Sequence, residues 1–201
     1  MKGLALSPGV SPVSAPLPAG RMQPAKLGIL LFIIAEIMFF SGMISSFVVF
    51  RFGNAHWPPP DQPRLPLEVT EVNTAILLLS GLAFYFAFGA LRASKSPLFK
   101  GLLTLTAILG ATFLAIQGFE WLHLLRFGLS VHNSIFGGFF YCLVGVHAAH
   151  VAGGLTALLY VTVRAWMGVY DAKNNLGVEI CRMYWFFVVG LWPVLFALVY
   201  L

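Results

Sequence analysis

The segment "LGILLFIIAEIMFFSGMISSFVVF", residues 27–50, contains a single ionisable side chain, Glu36. A run of about 20 apolar residues crosses the roughly 30 Å hydrocarbon core of a bilayer as a helix. Four further runs of this kind follow, at about 72–91, 98–125, 134–163 and 183–201. Barrel strands would instead alternate apolar and polar residues over about 10 positions. Only 9% of the 201 residues are charged, against about 25% in soluble domains, so the chain cannot clothe itself for water. The expected fold is all-α: a polytopic membrane protein of five transmembrane helices forming one domain over 26–201. The segment 1–25, rich in Pro, Ala, Ser and Gly, reads as a flexible tail. It lacks the continuous apolar core of a secretory signal peptide.

The formal net charge is +5, and its distribution gives an orientation. Lys2, Arg21, Lys26, Arg92, Lys95, Lys100, Arg164, Lys173 and Arg182 fall on one side of the predicted spans; Arg51, Arg64 and Arg126 fall on the other. Cytoplasmic loops carry the excess of Lys and Arg, so the N-terminus and the tail are expected in the cytoplasm. These charges sit in short loops rather than along one face, which argues against nucleic acid as a partner.

Ionisable side chains inside the spans are the candidate functional residues, because groups of this kind face protein rather than lipid. Glu36 lies roughly 14 Å along its helix at about 1.5 Å per residue, near the bilayer midplane. An ionised carboxylate there is costly unless paired. His147 and His150, three residues apart, are about 60° apart on one face of the fourth helix. Gln117 and Glu120 repeat that spacing in the third, nearer its outer end. A metal site would call for more ligands, and His-x-x-His lacks the Glu and spacing of a zincin. Two histidines on one face cannot ligate both sides of one haem. The remaining reading has both histidines neutral and hydrogen-bonded to Glu36, other polar side chains or carbonyls. Gly137, Gly138, Gly145, Gly153 and Gly154 on the same helix permit close helix approach. Cys142 and Cys181 read as small packing residues.

Other positions carry local expectations. Trp57 with Pro58, Pro59 and Pro60 forms either a partner-binding turn or a stiff connector with an interfacial Trp. His56 and His132 are expected in outer loops, and Trp121 and His123 in an outer aromatic belt. Asn73 and Thr74 are expected to start the second helix and cap it, and Tyr184 and Trp185 to lie at the cytoplasmic interface. Pro193 interrupts the hydrogen bonding of the fifth helix.

Five motifs in series resemble subunit III of the haem–copper oxidases. "FIIAEIMFFSGMISSFVVF" resembles that family's glutamate-bearing helix. "WPPPDQPRLPLEVTEVNTAILLLSG" resembles its Trp-Pro-Pro loop and the helix start that follows. "GATFLAIQGFEW" resembles its Gln-x-x-Glu-aromatic helix, "FFYCLVGVHAAHVAGG" its Gly-x-His-x-x-His-Val signature, and "YWFFVVGLWPVLFALVYL" its last helix. The match covers about residues 26–201 and is similar to the family's five-helix form. Many members carry His and Asp in the last helix where this chain has Phe186 and Val189.

The resemblance implies a subunit with no catalytic residue, no haem and no metal of its own. It would pack against the catalytic subunit I and other oxidase subunits in an inner (plasma) membrane of bacterial type. It would stabilise the subunit that reduces O2 and pumps protons, and support proton uptake. Haems and copper would reside in those partners, and bound phospholipid is a further implied ligand. Glu36, His147, His150, Gln117 and Glu120 would then be buried polar or proton-related residues. Two other classes stay open on the residues alone. One is a small proton channel or transporter built on Glu36 and the histidines, although no inverted repeat is evident. The other is a membrane cytochrome. Quinol oxidases and nitric oxide reductase systems use related subunits, and the electron donor is not written in this chain.

Overall fold

The computed structural model describes residues 23–53, 67–126 and 135–200. All five expected spans are helices: α1 (Pro24–Gly53), α2 (Leu67–Arg92), α3 (Ser96–Arg126), α4 (Ile135–Trp166) and α5 (Leu176–Val199). Each is long and apolar enough to cross a membrane. Most of the tail expected at 1–25, and the loop residues His56, Trp57, Pro58, Pro59, Pro60 and His132, lie outside the described residues.

Two helices begin earlier than hydropathy indicates. The second starts at Leu67 rather than about 72, and the fifth at Leu176 rather than about 183. Their first two turns carry Glu68, Thr70, Glu71, Glu179 and Arg182, which lower an apolar average without opposing helix formation. Two local expectations fail as a result. Asn73 does not cap α2 but sits in its second turn, fully buried. Trp185 is not interfacial but fully enclosed, more than two turns into α5.

Helices α2, α3, α4 and α5 close into a ring, each touching the next and α5 returning to α2; α1 lies outside the ring against α4 and α5. Three aromatic side chains, two of α5 and that of its C-cap Tyr200, point into this ring at successive levels. The indole of Trp185 donates to Ser80 Oγ of α2 at 3.2 Å. Its ring fills the space over Gly110 of α3 and Gly154 of α4, where an added Cβ would meet it at 2.6 Å and 3.2 Å. Seven residues on, and so on the same helix face, Trp192 donates to Thr74 Oγ1 of α2 at 2.8 Å. It meets Phe113 of α3 edge-on and stacks on His147 of α4, both at 5.1 Å between ring centroids. Tyr200 forms the third level: its hydroxyl accepts from Gln117 of α3 at 3.4 Å and lies beside Thr70 of α2, and its ring contacts Phe140 of α4. Each aromatic therefore reaches all three other helices of the ring.

The outer helix α1 buries few residues, chiefly Phe40 and Phe47, and leaves Met38, Val49 and Phe52 exposed. It is tied to the ring at three heights. Lys26 Nζ pairs with Glu179 Oε2 at 2.7 Å, Glu36 with His150 at 2.9 Å, and Arg51 Nη1 donates to the Leu198 carbonyl at 2.6 Å. At about 1.5 Å per residue these ties are roughly 15 and 22 Å apart along α1.

Between α4 and α5, Gly168 takes a positive φ of 77°, the left-handed conformation that ends a helix and favours glycine. Its N–H donates to the Ala165 carbonyl, and the N–H of Val169 to the Arg164 carbonyl. Asp171 then organises the turn by accepting the backbone N–H groups of Lys173 and Asn174, each at 2.7 Å.

Candidate functional site

The two histidines that share a face of α4 part company. His150 turns outward to α1, where its Nε2 lies 2.9 Å from Glu36 Oε2 and its Nδ1 lies 2.7 Å from the Val146 carbonyl. A carbonyl only accepts, so Nδ1 carries a hydrogen and donates it. The Nε2–Oε2 contact then holds one further proton, sited either on the carboxyl or on the imidazole. Both partners are partly buried, His150 at 18% and Glu36 at 17% exposure, which leaves the pair within reach of the flank of α1. Phe40 of α1 packs edge-on to the imidazole at 5.2 Å, and Tyr184 of α5 donates to the His150 carbonyl at 3.3 Å. The expectation that Glu36 meets a histidine of the fourth helix holds for His150.

It does not hold for His147. That side chain points into the ring, fully buried and stacked on Trp192, and neither nitrogen has a hydrogen-bond partner among the described residues. Sequence reasoning placed both histidines in one hydrogen-bonded seam. The 60° between them is enough for one to face α1 and the other to face α5.

Gln117 and Glu120 do stay together, in a second polar cluster between α2, α3 and α5. Asn73 Nδ2 donates to the Phe113 carbonyl at 3.2 Å and to Gln117 Oε1 at 3.5 Å, and Gln117 Nε2 donates to the Tyr200 hydroxyl at 3.4 Å. Thr70 Oγ1 lies 3.1 Å from Glu120 Oε2. Thr70 and Tyr200 carried no signal in the sequence, since a Thr near a helix start and a Tyr near a chain end are commonplace. Among the described residues no three of His, Cys, Asp and Glu come close enough together to hold a metal ion.

The glycines of α4 are only partly used for packing. Gly145 receives the Trp121 ring and Gly154 those of Tyr184 and Trp185, whereas Gly153 faces open space. That opening belongs to a groove of about 460 Å³ between α1, α4 and α5, lined by Phe32, Ala157, Tyr160, Cys181 and Tyr184 among others. The positions where a resemblance to subunit III leads one to look for His and Asp are apolar contacts to α2. Phe186 meets Phe84 edge-on at 6.4 Å, and Val189 packs on Gly81, whose added Cβ would lie 3.1 Å from Val189 Cγ1.

Comparison with known proteins matches residues 20–201 to the family profile described as cytochrome c oxidase subunit III. The chain is 35% identical over 183 residues to cytochrome c oxidase subunit 3 of Synechocystis sp., covering 90% of this chain and 77% of that protein. It is 32% identical to the probable cytochrome c oxidase subunit 3 of Nocardia farcinica, covering 90% of this chain and 89% of the relative. With the Mus musculus protein of the same name the identity is 31%, over 87% of this chain and 68% of the relative.

Proposed function

The chain belongs to the cytochrome c oxidase subunit III family, and from this we propose that it is the non-catalytic subunit III of a haem–copper terminal oxidase in an aerobic respiratory chain. Membership of the family places it in an oxidase complex, as an integral membrane protein with five spans. In the proposed reading it packs against the catalytic subunit, which holds the haems and copper, reduces O2 to water and pumps protons. The N-terminus faces the cytoplasm of a bacterial-type inner membrane, in keeping with the basic residues at the Pro24 end of the bundle. The names of the relatives favour cytochrome c over quinol as donor to the complex.

The observation that carries this reading is the family match over residues 20–201. The bundle is consistent with it: of the polar groups singled out within its spans, Glu36 and His150 pair with each other, and His147, Gln117 and Glu120 are buried in the fold. The subunit's contribution is then to brace its partner and to support proton uptake, with Glu36, His147, His150, Gln117 and Glu120 as internal polar groups. The apolar groove between α1, α4 and α5 opens where hydrocarbon would surround the bundle and suits a phospholipid acyl chain.

The test is an affinity tag on this chain, purification from membranes in mild detergent, and identification of the co-purifying subunits. Recovery of a haem-bearing partner, a haem spectrum and oxygen uptake supports the proposal. A chain recovered without such a partner overturns it. A chain that retains haem after separation from every other subunit revives the cytochrome reading.

A further inference from the structure

The bundle holds a second membrane-embedded carboxyl, and its surroundings are chemically unlike those of Glu36. Glu120 is 5% exposed. One of its oxygens, Oε2, lies 3.1 Å from Thr70 Oγ1; the other, Oε1, has no hydrogen-bond partner among the described residues. No Lys, Arg or His of the described residues forms an ion pair with it. From α2 it is faced by Thr70, with the amide of Asn73 nearby; from α5 by the phenol of Tyr200, with Tyr141 of α4 behind that. On its own helix, Gln117 is engaged with Asn73 and Tyr200, and His123 is exposed and stacked on Phe119. Glu68 and Glu71 of α2 are exposed.

An ionised carboxylate presents about four acceptor sites and calls for several donors or a cation. Here it would have one neutral hydroxyl. A protonated carboxyl removes that shortage of donors. Its O–H donates from Oε2 to Thr70 Oγ1, and Oε1 becomes an ordinary carbonyl, for which a missing partner is a far smaller penalty than for a buried charge. The Tyr200 hydroxyl also lies beside Thr70. Glu36 differs because His150 can share its proton.

We propose that Glu120 is a proton-binding site of the bundle, held at neutral pH as a carboxylic acid that donates to Thr70, beside the hydrogen-bonded cluster of Tyr200, Gln117 and Asn73 between α2, α3 and α5. The site binds its proton through the chain's own residues, whichever complex the chain belongs to.

Infrared difference spectroscopy tests this on the purified membrane complex, comparing wild type with Glu120→Gln in H2O and D2O. The expected result is loss of one carbonyl-stretch band of a protonated carboxyl group, a band that shifts down in D2O. Loss of carboxylate-stretch bands instead, or no change in either region, overturns the proposal. If the Gln variant fails to assemble, Thr70→Val serves in its place. Removing the acceptor should raise the frequency of that same carbonyl band, and a spectrum without such a shift overturns the proposal.

Discussion

His150 Nδ1 is committed to the Val146 carbonyl at 2.7 Å, and this fixes what Nε2 can do toward Glu36 Oε2 at 2.9 Å. With Nδ1 carrying its hydrogen, a neutral ring offers Glu36 a lone pair and a charged ring offers it a donor. The imidazole bridges α4 to α1 in either state.

Glu36→Gln should therefore preserve the bridge, because the amide N–H can donate to Nε2. Glu36→Ala should leave Nε2 without a partner at a cost of about 1–3 kcal/mol and weaken the middle tie of α1. The measurements are subunit retention in detergent and oxygen uptake by the complex. Retention is expected to fall for Ala and hold for Gln, with turnover surviving in both. A Gln variant with every subunit retained but no turnover would make Glu36 an obligatory proton carrier.

Gly110 and Gly153 should respond oppositely to Ala. At Gly110 the new methyl would lie 2.6 Å from the Trp185 ring, which is fully enclosed and cannot withdraw. Overpacking of this kind costs about 1–3 kcal/mol. At Gly153 nothing lies within 4 Å, and Ala brings its better helix propensity, up to about 1 kcal/mol. Thermal unfolding midpoints in one detergent should fall for the first variant and hold or rise for the second; matching shifts would contradict the packing described.

Thr74→Val keeps the volume at the second aromatic level but removes the acceptor for Trp192 Nε1, which donates to Thr74 Oγ1 at 2.8 Å. An orphaned buried N–H costs about 1–3 kcal/mol. Thr74→Ser retains the oxygen and should lose much less. Denaturation in mixed detergent would rank the two variants, and equal stability would show that the indole finds another acceptor.

The turn at Asp171 should be pH-sensitive. Hydrogen bonds from the backbone N–H groups of Asn174 and Lys173, with Lys173's charge adding a smaller share, hold the Asp171 carboxyl below its ordinary value. A depressed folded-state value contributes order that is present above the unfolded value and lost as pH falls through the folded one. Amide hydrogen exchange at residues 173 and 174 should accelerate, after correction for intrinsic rates, in the acid range below ordinary carboxylate titration. Asp171→Asn should flatten that dependence.

Much of this protein can be read from composition and spacing, because crossing a bilayer is a local demand. A window of about 20 residues either carries enough apolar surface or does not, so all five helices were legible. So were the glutamate in α1, the paired histidines in α4 and, through motifs in series, the family. What the tertiary structure decided is which protein surface each polar group meets. His147 and His150 share one face of a helical wheel, yet one stacks on Trp192 inside the ring and the other reaches Glu36 outside it. Hydropathy lowers its score for Thr70, Asn73, Gln117 and Glu120 whether they face lipid or one another. Their burial together follows from the approach of α2, α3 and α5, a relation between segments distant in sequence. The same holds for Trp185, whose position near the basic end of its span made it look interfacial. Only the absence of side chains at Gly110 and Gly154 gave its indole room to enter the core.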